Sequence, residues 1–283
     1  MTLCCCGTIS PKAQARVTHA KNATPAAHPT RLPPEVPKFM RLRLVLLCLL
    51  AFPIVASADS YYLTIAGSVG VFRTDVRIFN PSSSDSNVSL VFVPAGNQNN
   101  GSAFANAVHK VIPKGQGVAY DDVVASLFNT TGLGAISINA DTPLIVTSRI
   151  YAQNATGTVG QGFHAERQGN LLLNGVLIQL RADASFRTNI GAVNLQNAEA
   201  HVTWSLFDKN GNHVSDGTMT IQPYGIIGPT SITSGFFFNA GNADLSDARV
   251  IFQSDVGLGV YASVVDNSTL DPTYFVAMSP SGF

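Results

Sequence analysis

Two arginines recur in one setting. Arg73 lies in Val71-Phe72-Arg73-Thr74-Asp75-Val76-Arg77-Ile78-Phe79-Asn80, and Arg187 in Ser185-Phe186-Arg187-Thr188-Asn189-Ile190-Gly191-Ala192-Val193-Asn194. Each has an acid or amide two residues on, Asp75 or Asn189. On a strand, residues two apart share a face, so a guanidinium there can grip an anion or reach that neighbour. The same arginine can instead lie across its sheet and tie down a loop. A motif kept twice in one chain speaks for this structural role, with Arg73 reaching Asp75. Aromatic side chains offer a second chemistry, stacking on sugar rings. Tyr151, Trp204, Tyr224 and Phe236 to Phe238 could do so, although core packing accounts for most such residues. The candidate ligand-binding residues are Arg73, Arg187, Tyr151 and Tyr224.

Other arrangements fall away on inspection. Asp208-Lys209-Asn210-Gly211-Asn212 superficially matches a calcium loop, but that loop needs Gly at position six and Glu at twelve. Those positions hold His213 and Met219. A type I′ hairpin turn on Asn210-Gly211 is the better account. Asp244 and Asp247 read as turn residues ahead of the next strand. His109, His164, His201 and His213 show no ligand spacing. His201 and His213 flank the hairpin and could approach across it. No Gly-x-Ser-x-Gly elbow occurs. Adjacent residues on a strand point to opposite faces, so Asp121 and Asp122 cannot act as a glycosidase pair. They fit better as caps of a short helix at Asp121–Phe128. No catalytic, cofactor-binding or metal residue is assigned, and no cofactor is expected.

The elements that would carry these residues are strands. Arg73 to Asn80 alternates in type with period two and ends at Pro81-Ser82-Ser83-Ser84-Asp85. Short apolar runs rich in Val, Ile, Phe and Thr follow at ~8–12-residue spacing, broken by Pro, Gly and Asn. The recurrence extends past the arginines at an offset of 114: Val88-Ser89-Leu90 answers Val202-Thr203-Trp204, and Leu144-Ile145-Val146 answers Leu258-Gly259-Val260. Solenoid repeats run at only ~20–50 residues, so this period is a whole domain. The expected fold is all-β: two tandem immunoglobulin-like β-sandwich domains related by internal duplication, each with one short helix. The domains span 59–155 and 171–283, joined by a polar linker at 156–170. Phe72 and Phe186 are expected in equivalent environments.

The N-terminus reads differently. Met40-Arg41-Leu42-Arg43, the apolar run Leu44 to Val55 and Ala56-Ser57-Ala58 form a signal peptide over 40–58, cleaved near Ala58. Residues 1–39 hold Cys4-Cys5-Cys6 and scattered Pro and Ala, and read as a non-native or disordered extension. All four cysteines, 4, 5, 6 and 48, fall before Asp59. The remainder carries ten Lys/Arg against sixteen Asp/Glu. That balance argues against nucleic acid and anionic membranes as partners. The apolar run is too short for a spanning helix of ~20 residues, so no transmembrane segment is expected after cleavage.

Phe-Arg-Thr-Asp/Asn with an Asn-closed strand, and the segments Leu144-Ile145-Val146-Thr147-Ser148-Arg149 and Tyr261-Ala262-Ser263-Val264-Val265-Asp266-Asn267, resemble a group of uncharacterised bacterial secreted proteins. These are built from tandem β-sandwich modules. The resemblance covers essentially 60–283 and implies the module, not an activity. The expected function is non-enzymatic: surface adhesion, scaffolding, or extracellular or periplasmic binding, with a cell-surface protein or polysaccharide as partner. The alternative is a carbohydrate-binding module, and after it a secreted hydrolase.

Overall fold

The computed structural model describes residues 59–280. The signal-peptide reading at 40–58, the extension at 1–39 and the four cysteines lie outside them. The described chain is all-β, and every strand pairing is antiparallel. In the first half, β1 (Asp59–Ser68), β3 (Ser86–Pro94), β4 (Val108–Ile112), β6 (Gly132–Ala140) and β9 (Glu166–Arg167) form a sheet ordered β4-β3-β6-β1-β9. The second sheet is β5-β2-β7-β8, from β2 (Phe72–Phe79), β5 (Gly117–Tyr120), β7 (Ile145–Asn154) and β8 (Gly157–His164). Leu63, Ile78, Leu90, Ile136 and Ile138, drawn from both sheets, share one buried core.

The second half comprises β10 (Leu172–Ala182), β11 (Phe186–Val193), β12 (Ala200–Phe207), β13 (His213–Ile221), β14 (Ile226–Ser231), β15 (Leu245–Asp266) and β16 (Pro272–Val276). The long β15 serves two sets of partners. Its first stretch pairs with β10 and β12, its last with β11 and β16. A second core surrounds Leu177, Trp204, Val250 and Phe252. Registers recur between the halves. Phe72 faces Ala152 and Phe79 faces Ile145, while Phe186 faces Asp266 and Val193 faces Gly259. Likewise Val88 faces Ala140, and Val202 faces Ser254.

Buried polar side chains pin both halves in the same way. Thr74 Oγ1 accepts the Gly67 N–H and donates to the Gly67 carbonyl, and Thr188 treats Arg181 identically. The Asn80 amide donates to the carbonyls of Ser84 and Ile112 while its oxygen accepts the Ser82 N–H. Asn194 does so with Ala198, Ile221 and Gln196. All four pins are fully buried. A paired buried polar group is tolerated where an unpaired one is costly, so these contacts fix strand ends and not merely fill space.

Several expectations change. The 156–170 segment is no bare linker: β8 occupies Gly157–His164 and pairs with β7 along its length. The short helix of the first half shrinks to one turn, Val123–Ser126, and the second half has no α-helix among its described residues. Asp121 and Asp122 make no side-chain cap. Asp122 stands at the N-cap with φ 43°, and its carboxylate takes Arg73 and Ser68 instead. The Asp208–Asn212 turn is not type I′, since only Gly211 takes positive φ. The Asp208 carboxylate closes it by accepting the N–H groups of Asn210 and Asn212. No helix among the described residues is long and apolar enough to cross a membrane.

Candidate functional site

The turn before β2 presents apolar side chains to water. Val69 and Phe72 bridge backbone to backbone around Gly70, which takes φ 55°. Val71 and Phe72 sit at this tip, 54 % and 48 % exposed. Phe186 holds the corresponding place but is half-buried, because the Arg181 guanidinium lies 3.7 Å from its ring centre. Gly67 occupies the place of Arg181 in the first half, so nothing of that kind covers Phe72. The two phenylalanines thus share a register but not an environment, contrary to expectation.

Phe72 opens onto a cleft of about 260 Å³ between the two halves. The first half contributes Ile65, Leu133, Ile150, Tyr151, Val159 and Gln161. The second contributes Arg187, Asn189, Pro229, Ser263, Val265 and Leu270, the last 59 % exposed. Strand pairing sets these positions. Ile150 faces Gln161 across β7 and β8, while Arg187 faces Val265 and Asn189 faces Ser263 across β11 and β15. The Ser263 hydroxyl donates to Gln161 Oε1 at 3.2 Å and joins the walls. Below, Tyr274 stacks on Phe163 at 4.6 Å, and its hydroxyl lies 2.6 Å from Thr64 Oγ1. Burial raises the Tyr274 phenol above its ordinary range, so that bond stays between two neutral hydroxyls.

The candidate residues divide. Arg187 and Tyr151 line the cleft; Arg73 and Tyr224 do not. Arg187 donates to Asn267 Oδ1 at 2.8 Å and has no carboxylate within ion-pair distance among the described residues. Arg73 pairs with Asp122 at 3.1 Å and donates to the carbonyls of Gly70 and Phe72. It does not bond Asp75, whose carboxylate accepts the Asp122 N–H and the Tyr151 hydroxyl. Partial burial, then the Asp75 charge, pushes the Tyr151 phenol up. Tyr224 packs on Phe104 at 4.7 Å and offers its carbonyl to Asn100. Trp204, Phe237 and Phe238 are buried in the second core, and only Phe236 of that set is exposed.

The histidines do not meet across the hairpin. His201 Nδ1 lies 2.8 Å from Asp255, and His213 Nε2 lies 2.8 Å from Asp216. Asp216 also accepts the Ser205 hydroxyl at 2.6 Å, so the carboxylate stands between hydroxyl and imidazole. That order prevents His213 from acting as base toward Ser205, since a base must itself touch the proton it removes. The cleft's apolar side, Val71, Phe72, Leu133 and Leu270, went unnoticed in the sequence. The available signal was the Gly67 and Arg181 mismatch, which leaves one repeated phenylalanine bare.

No family model and no curated protein matches the chain. Among solved structures, the crystal structure of Thermotoga maritima 1070 is similar at 10% identity, covering 38% of this chain and 95% of that one, with a TM-score of 0.32. That likeness bears on neither the cleft nor its chemistry.

Proposed function

We propose that the chain is an exported, non-enzymatic binding protein acting in surface adhesion, scaffolding, or extracellular or periplasmic binding. It consists of two tandem immunoglobulin-like β-sandwich domains related by internal duplication, the first running past residue 155 to include β8 (Gly157–His164) and the second spanning 171–283. Recurrent strand registers and the paired Thr and Asn pins support the duplication. The environments of Phe72 and Phe186 differ and lend it nothing. The observation that carries the binding role is the cleft itself. Exposed apolar side chains converge there with an arginine free of carboxylates, and both halves supply its walls. Apolar surface gathered round a few polar groups is the usual make-up of a recognition site.

The test has two arms. N-terminal sequencing of the exported chain is expected to read from Asp59; a retained 1–39 segment would defeat export by this signal. The purified chain from Asp59 is then presented to immobilised envelope polysaccharides and cell-surface fractions, alongside ester and glycoside substrates. Saturable retention that Phe72→Ser and Leu270→Ser both weaken, without turnover, is the expected result. Turnover without retention would replace the binding reading with the hydrolase.

A further inference from the structure

The geometry points to a small amphipathic carboxylate, an aliphatic or aromatic acid, as the ligand of this cleft, an inference that rests on the binding role proposed above. Several N–H donors on its wall have no acceptor among the described residues. The Arg187 guanidinium makes one bond, from Nη1 to Asn267. Its Nε and Nη2 have no acceptor among the described residues. Gln161 is more than nine-tenths buried, and its oxygen takes the Ser263 hydroxyl while its amide nitrogen donates to no described group. The Asn189 side chain likewise makes no bond among the described residues. No aspartate or glutamate lines the cavity. The nearby Asp75 and Asp266 are engaged elsewhere, Asp75 by Tyr151 and Asp266 by the N–H groups of Ser268 and Thr269.

Donors that converge without an acid select an anion, and a planar guanidinium matches a carboxylate through two parallel bonds. The remaining wall is apolar: Phe72, Ile150, Leu133, Val159, Val265 and Leu270. A bare inorganic anion would leave that wall wetted, and an uncharged hydrocarbon would leave the donors unmet. One molecule satisfies both, with its carboxylate at Arg187, Asn189 and Gln161 and its body against Phe72. About 260 Å³ is small beside typical ligand pockets of ~300–1,000 Å³, which limits the ligand to a short chain or a single ring.

Isothermal titration of the chain from Asp59 with hexanoate, octanoate, octanol and octylamine tests this. Octanoate is expected to bind saturably, about fourfold tighter than hexanoate for each added methylene. Octanol and octylamine should bind at least tenfold more weakly. Arg187→Gln should remove that preference for the acid over the alcohol. Phe72→Ala should weaken octanoate and octanol alike. Both side chains are exposed, and circular dichroism verifies that each variant is folded. Equal binding of octanol and octanoate would overturn the carboxylate assignment. Failure of every probe, while envelope fractions are still retained, would overturn the ligand class and leave the binding role standing. Loss of both would overturn the two together.

Discussion

The outward face of the β11–β15 pair is buried, whereas the matching face of β2–β7 stands in water. Gly191, Val193, Gly259 and Tyr261 are all buried. Their counterparts 114 residues earlier are Arg77, Phe79, Ile145 and Thr147, with Phe79 41 % and Ile145 54 % exposed. Strand order and register are the same, so neither decides which face becomes an interface. Two glycines do: Gly191 and Gly259 stand where the first half carries Arg77 and Ile145. A Cβ on Gly259 would meet the Tyr62 ring at 2.6 Å, so the first half packs directly on that backbone. Glycine is needed where backbone and ring approach this closely.

The most damaging way to break that comparison is to exchange the residues. Gly259→Ile places in the second half what the first half carries at Ile145. It is expected to cost at least ~3 kcal/mol, the upper range for overpacking, because the obstacle is a ring held by its own sheet. Ile145→Thr, on the open face, should stay within about 0.5 kcal/mol. Urea unfolding of both variants measures the contrast. Similar midpoints would mean that the Gly259–Tyr62 contact does not hold the halves together.

The pins sharpen the comparison from the other side, because there the halves agree. Asn80→Ala and Asn194→Ala each orphan buried carbonyls, including Ile112 and Ile221. Each should cost about 2–3 kcal/mol, near the upper end for a buried group left unpaired. The two losses should match, since both asparagines are fully buried with like partners. The motif's arginines should not match. Arg73→Ala removes a half-exposed pair with Asp122 and should cost ~0.5–1 kcal/mol. Arg187→Ala should leave the melting temperature unchanged, since its single bond to Asn267 is exposed. A drop of several degrees for Arg187→Ala would make that residue structural and remove it from the cleft's chemistry.

Much of this was legible in the residues. Alternation over Arg73 to Asn80 placed β2, and the 114-residue recurrence carried β11, β12 and the end of β15 with it. The pins were harder to recognise. Arg drew attention in Phe-Arg-Thr because it is the charged member, yet Thr and the closing Asn are the buried ones. A hydroxyl that bonds a neighbouring strand leaves no spacing to read, only a residue type common on strands for other reasons. β8 was missed because Gly157-Thr158-Val159-Gly160-Gln161-Gly162 has little apolar alternation. Its burial is imposed from outside, by Ser263 on Gln161 and Tyr274 on Phe163. The cleft was hidden for the same reason: Phe72 and Arg187 come to one cavity only through packing between halves.

The smallest expected effect lies at a third matched pair. In the first half Asp141 accepts the Asn87 N–H and side-chain amide. In the second, Asp255 accepts the His201 N–H and lies 2.8 Å from Nδ1. The device is the same, but only the second carries an imidazole. The hydrogen bond that the ring donates to Asp255, then the Asp255 charge, raises His201 above the ordinary histidine value. Folding therefore favours the protonated ring. Its contribution is complete below the unfolded value of ~6.5 and is lost as pH rises through the raised value. Asp141 works in the opposite sense. The Asn87 side-chain bond lowers its carboxyl, so its contribution is present above the unfolded carboxylate value and lost as pH falls through the lowered one. His201→Asn makes the second site a copy of the first. It should flatten the alkaline side of the melting-temperature profile and leave the Asp141 contribution on the acid side in place. Asp255→Asn should bring the imidazole's titration down toward its ordinary value, with the Glu199 charge, 3.5 Å from Nε2, still holding it above, as followed by NMR. A ring that titrates identically with and without Asp255 would reduce the contact to surface proximity, because a shift that survives loss of its partner has another cause.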